Sequence, residues 1–170
     1  QRVYEAVIKR MELFGLELSK EKTRILPFGR YSATRETFDF LGFTYYNSKT
    51  RKGYYTIGHK ISRKKKKQFK SNLKKWVKEN RNKQFDEFMK ALNKKLTGSF
   101  NYYSLSGMIR EVRSLWIHSL YVTFKWLNRR SQRRSFKLER FYEIWNDRII
   151  HPYIHVDIWS GDKVIYNKNV

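Results

Sequence analysis

The chain contains no cysteine and only 15 acidic residues among 170, and no apolar run approaches the roughly 18 residues a membrane-spanning helix needs. Without cysteine there is no disulfide, thiolate zinc site or thiol nucleophile, and a reducing compartment is expected. Neither a targeting segment ahead of Gln1 nor a membrane partner is expected. Also missing are a Ser-His-Asp constellation, a phosphate-binding glycine loop, an internal repeat and any Asp-Asp pair. His151, His155 and Asp157 alternate with Tyr153, Ile154, Val156 and Ile158, which reads as a strand with a polar and an apolar face; no metal site is assigned to them.

What remains is dominated by positive charge. Lys and Arg number 38, giving a formal net charge of +23. Such an excess repels itself unless a polyanion neutralises it, which points to nucleic acid. The charge is also concentrated. Between His59 and Lys83 twelve basic residues face one acid, Glu79. Solvated helices usually mix both signs to gain i,i+4 pairs, and this stretch does not. Arg63, Lys64, Lys65, Lys66, Lys67, Lys70 and Lys74 are therefore candidate nucleic-acid contacts. A second cluster holds Arg129, Arg130, Arg133 and Arg134, where the planar guanidinium suits bidentate phosphate contacts and base stacking.

Hydrophobic spacing supplies the elements. Val3, Val7, Ile8 and Met11 predict a helix from about Arg2 to Phe14, stopped at Gly15 and followed by a short strand at Leu16-Glu17-Leu18. A run of strand formers from Phe38 to Phe43 and another at Tyr54–Ile57 predict a hairpin whose tip, residues 47–53, is basic. Ile61, Phe69, Leu73, Trp76 and Val77 mark one helical face; Phe85, Phe88, Met89, Leu92 and Leu96 mark a second, interrupted at Gly98. A third helix, about Met108 to Leu127, is apolar nearly all round, and a short covering helix follows from Phe136 to Trp145, with an extended tail from Ile149. In the connection 99–107, Phe100 and Tyr103 are assigned to the core. Asn101 and Tyr102 are left as candidates for a base edge or a stacked base. The fold class expected is α+β, mainly α: a β-hairpin, a three-helix bundle and a short C-terminal extension.

Two stretches, Gly15-Leu16-Glu17-Leu18-Ser19-Lys20-Glu21-Lys22-Thr23-Arg24-Ile25 and Phe38-Asp39-Phe40-Leu41-Gly42-Phe43, resemble the last palm blocks of reverse transcriptases encoded by bacterial group II introns. The segments Leu92–Tyr103 and Trp126–Ser131 resemble the thumb, or maturase domain X, of that family, in the same order. The resemblance implies a palm end and primer-grip hairpin at 1–58, a helical thumb at 59–135 and an extension at 136–170. It places Phe40, Leu41, Gly42 and Phe43 at the primer grip, although Gly42 equally suits a β-bulge. It sets Lys22 beside the incoming nucleotide as an accessory charge or acid, although Lys20-Glu21-Lys22 equally suits a solvated turn.

The implied partners are structured intron RNA, an RNA template with DNA primer, and the rest of the polymerase, in the bacterial cytosol or nucleoid. Paired aspartates and two Mg²⁺ ions would belong to the parent palm; this chain supplies no such pair and should not polymerise alone. A non-catalytic maturase or RNA chaperone is the alternative, as is a reverse transcriptase recruited to phage defence or CRISPR adaptation.

Overall fold

A computed structural model describes residues 2–19, 21, 23–32, 34, 36–130 and 135–154. Two compact units make up the chain, one of residues 1–37 and 47–57, the other of residues 38–46 and from 58 onward.

In the first unit, α1 spans Arg2–Leu13 and buries none of its residues. Gly15, at φ +68°, ends it. The Leu16 amide donates to the Met11 carbonyl and the Gly15 amide to that of Glu12, both at 3.0 Å, which is the paired closure of a Schellman motif. The strand expected at Leu16–Leu18 does not form. A strand needs a ladder partner, and none of the described residues pairs with it.

Thr37–Phe40 (β1), Phe43–Lys49 (β2) and Tyr55–Ile61 (β3) form an antiparallel sheet in the order β1-β2-β3. The expected single run from Phe38 to Phe43 is instead two strands folded at Leu41-Gly42. Both residues have positive φ, +48° and +84°, the requirement of a two-residue type I′ turn. At the other end of the hairpin, the Thr50 amide donates to the Tyr54 carbonyl at 2.8 Å around Gly53.

The second unit is mainly helical. Arg63–Asn80 (α2), Phe85–Tyr103 (α3), Ile109–Leu127 (α4) and Leu138–Arg148 (α5) enclose a core that includes Leu73, Val77, Phe88, Leu92, Val112 and Trp145. Ser62 caps α2, its hydroxyl accepting from the Lys65 amide. Ile61, expected on that helix, is the buried last residue of β3.

Gly98 does not interrupt α3. The apolar face runs on through Phe100 and Tyr103, both buried, and their burial outweighs the weak helix preference of one glycine. Gly98 is exposed, and an added Cβ would meet nothing within 4 Å. Gly98→Ala is therefore expected to stabilise the chain by about 0.5–1 kcal/mol, read from the urea midpoint at unchanged m-value.

After α5 the chain is stapled to the bundle. The Ile150 amide donates to Asn93 Oδ1 at 2.9 Å, and Trp116 Nε1 donates to the Ile150 carbonyl at 3.1 Å. No strand forms over 151–154, because these bonds and the stacking of His151 on Trp116 replace a ladder. His155 and Asp157 lie outside the described residues.

Candidate nucleic-acid interface

The second unit turns one helix into a one-sign surface. Leu73 and Val77 are buried in α2, with Phe69 and Trp76 packed half-exposed beside them, so the lysines between are forced outward. Helices α2 and α4 lie side by side and run parallel. Lys66 pairs with Glu111 near their starts, Lys70 acts on His118 midway, and Lys78 and Arg81 reach the Trp126 ring near their ends. On the α4-facing rim of α2 the i, i+3 and i+4 spacings then place Arg63, Lys67, Lys70, Lys74, Lys78 and Arg81 in one row. That is close to one cation per helical turn of about 5.4 Å. Alongside it, α4 exposes Ser114, Tyr121 and Lys125, with Arg110 and Ile117 farther round. A row of cations beside an exposed tyrosine can hold successive phosphates and stack on a sugar or base.

Burial shifts two histidines of the second unit. Burial lowers the His118 pKa below the ordinary 6.5, and the Lys70 ammonium lowers it further. Burial lowers that of His59 as well, against the opposing hydrogen bond to the Ser106 backbone. Both are therefore neutral in the folded chain at pH 7. The unfolded chain takes up their protons near pH 6.5, so the stability they contribute is present above that pH. It is lost as pH falls through the lowered folded values. The unfolding temperature is expected to drop between pH 7.5 and pH 5, and His118→Gln is expected to lessen the drop; an identical drop would exclude His118 as a contributor.

The structure sorts the residues singled out in the sequence. Arg63, Lys64, Lys65, Lys67, Lys70 and Lys74 are exposed. Lys66 is half-buried and ion-paired with Glu111, so its charge is already matched. Arg129 lies over the Trp126 ring, 5.3 Å from its centre. Arg130 donates to the carbonyls of Leu127 and Arg81 at 3.3 and 3.4 Å. Lys22, Arg133 and Arg134 lie outside the described residues.

Around the expected primer grip, Phe40 and Leu41 are 57% and 67% exposed, whereas Phe43 is buried and is a core residue. Its ring stacks on Tyr102 at 5.8 Å. The Tyr102 hydroxyl donates to the Leu41 carbonyl at 2.5 Å, and the Ser62 amide donates to the Gly42 carbonyl at 2.9 Å. Tyr102 therefore braces the turn. Gly42 meets the Lys65 stem, 3.4 Å from where a Cβ would stand. Asn101 belongs to helix α3, and its side chain accepts from the Tyr153 hydroxyl at 2.8 Å.

Lys78 and Arg81 lie in the basic stretch 59–83 but are not among the candidate contacts singled out from it, and Trp126 is not read as part of the surface at all. Lys78 and Arg81 continue the spacing of Lys67, Lys70 and Lys74, which was the available signal. The role of Trp126 depends on α2 and α4 ending together, which no local pattern carries. Asn128, at the end of α4, is tied to Phe136 ahead of α5. Asn128 Oδ1 accepts from the Phe136 amide at 2.8 Å and its Nδ2 donates to the Phe136 carbonyl at 3.1 Å.

Among the described residues no cluster of three or more His, Cys, Asp or Glu could hold a metal ion, and no helix is long and apolar enough to cross a membrane. Asp39 accepts the Thr44 hydroxyl at 2.5 Å. No curated protein and no solved structure matches the chain. A family model does match residues 66–143, the stretch that carries most of α2, all of α3 and α4 and half of α5. Its description is "Group II intron, maturase-specific domain", which connects the chain with intron RNA and its splicing. The chain therefore contains, over residues 66–143, a maturase-specific domain of the group II intron family.

Proposed function

We propose that this chain is the thumb and maturase part of a group II intron reverse transcriptase, which holds folded intron RNA in its splicing-competent shape and also grips the template-primer duplex. The observation that carries the RNA part is the unbroken row of cations from Arg63 to Arg81 beside α4, most of it inside the maturase-specific stretch. RNA bound along it would be held by its phosphates, with Tyr121 offering a ring to an adjoining sugar or base.

In this reading residues 1–58 end the palm, 59–135 form the thumb and 136–170 cover it. The exposed Phe40-Leu41 turn, braced by Tyr102 and Ser62, would meet the primer near its 3′ end. Copying RNA into DNA during retrohoming would require the parent's palm, whose paired aspartates would hold two Mg²⁺ ions and supply the metal-assisted displacement. The residues of this chain would position nucleic acid for that step.

Splicing separates the proposal from its alternatives. Added to a group II intron precursor at Mg²⁺ too low for self-splicing, the chain is expected to raise the rate of exon ligation and leave an unrelated group I precursor unchanged. Equal help to both would indicate a general RNA chaperone, and help to neither would remove the maturase reading.

A further inference from the structure

One feature of the cation row is not linear. At its end Lys78, Arg81 and Arg129 converge on Trp126, their charged groups 5.9, 5.4 and 5.3 Å from the ring centre. None of the three forms an ion pair among the described residues. Each lies so near one point that none is much more than a Debye length, about 10 Å at 0.1 M salt, from another. Their repulsion is therefore incompletely screened.

Two features hold the charges together without cancelling them. The negative face of the indole attracts each cation. The ends of α2 and α4 also meet here, and each helix contributes about half a negative charge. Together these amount to about one unit against three. Arg130 adds a further positive charge beside them, its guanidinium directed to backbone carbonyls that tie the two helix ends. The ring itself is half-buried against the core and so is a fixed platform.

We infer that the Trp126 cluster is a phosphate clamp for a crowded place in an RNA backbone, a sharp turn or strand junction, and that it supplies preference for folded RNA over plain duplex. The inference rests on the RNA-binding reading above. A straight row of cations such as Arg63 to Lys74 suits the evenly spaced backbone of a duplex, which is convex and presents few phosphates to one point. Three cations gathered at a point gain most where phosphates converge and the negative potential is greatest. Clamped there, a phosphate could accept from the forks of Arg81 and Arg129 together.

The test compares a plain RNA duplex with a three-way-junction RNA of equal nucleotide count, each bound to the full chain and to Arg81→Gln/Arg129→Gln. The double variant is expected to lose about tenfold more affinity for the junction than for the duplex, and to flatten the salt dependence chiefly on the junction. Trp126→Phe, which keeps a ring with a weaker cation attraction, is expected to show the same bias at smaller size. Thermal melts of each variant report folding, and Arg129→Gln alone, at an exposed position, provides a folded comparison. Equal losses on both RNAs, or none on the junction, would overturn the clamp. Failure of the unaltered chain to bind either RNA would instead overturn the RNA-binding reading.

Discussion

Replacing Lys67, Lys70, Lys74 and Lys78 together by Gln is expected to weaken RNA binding by roughly a hundredfold or more at low salt and to reduce the salt slope by about 3 to 4. Each duplex phosphate contact contributes up to about 0.9 to that slope, and less on single strands. The four side chains are exposed on one rim of α2 and form no ion pair among the described residues. Removing them costs no buried side chain, only the contact of Lys78 with the Trp126 ring, and relieves like-charge repulsion, so the unfolding temperature should stay close to that of the unaltered chain. Lys90 and Lys94, exposed on α3, form the control pair. If their replacement flattens the slope as much per charge as the α2 variant does, binding follows net charge, and the row has no special part.

Trp145→Ala is expected to destabilise the chain by about 3–5 kcal/mol, the range for removing a large aromatic from a packed core. Trp145 is fully buried, with Trp116 and Phe141 each 6.0 Å away between ring centres. Phe141 in turn meets Phe124 and Phe136, both at 5.5 Å. This chain of rings seats α5, and through Phe136 it reaches the hydrogen bonds that Asn128 makes at the end of α4. The variant should therefore lose RNA affinity as well as stability, measured by urea unfolding and by binding at a temperature where it remains folded. A loss below about 1.5 kcal/mol would mean that α5 is not anchored by this ring.

Helix positions were legible wherever a 3.6-residue spacing was strong. Phe88, Leu92 and Leu96 identify α3, and Val112, Leu115 and Trp116 belong to α4, because in both the repeating face is the buried one. The end of α3 was misread because Gly98 signals a break locally, whereas the burial of Phe100 and Tyr103 is a tertiary fact. The Leu41-Gly42 turn was hidden for a related reason. Type I′ turns favour Asn-Gly or Asp-Gly, and a leucine at φ +48° is tolerated where bonds from elsewhere hold it; here they come from Tyr102 and Ser62. Tyr102 was open in the sequence because its partner lies 61 residues away.

The candidate interface was legible as charge and illegible as shape. Composition alone identified the row on α2, since so many cations with one acid admit few other uses. That the row follows α4, that Lys66 is matched by Glu111, and that the end gathers on Trp126 all depend on two helices running parallel. Of the residues the resemblance places at the primer grip, Leu41 stands exposed in the turn whereas Phe43, the first residue of β2, is buried against Tyr102 and Tyr103.

The most direct measurement is the affinity of the chain for a folded group II intron RNA against an unrelated duplex RNA of equal length, each at two salt concentrations. The expected result is a preference for the intron of more than about tenfold, near 1.4 kcal/mol, that persists at the higher salt. Equal affinities that fall together as salt rises would contradict it and leave α2 as a general polyanion-binding surface.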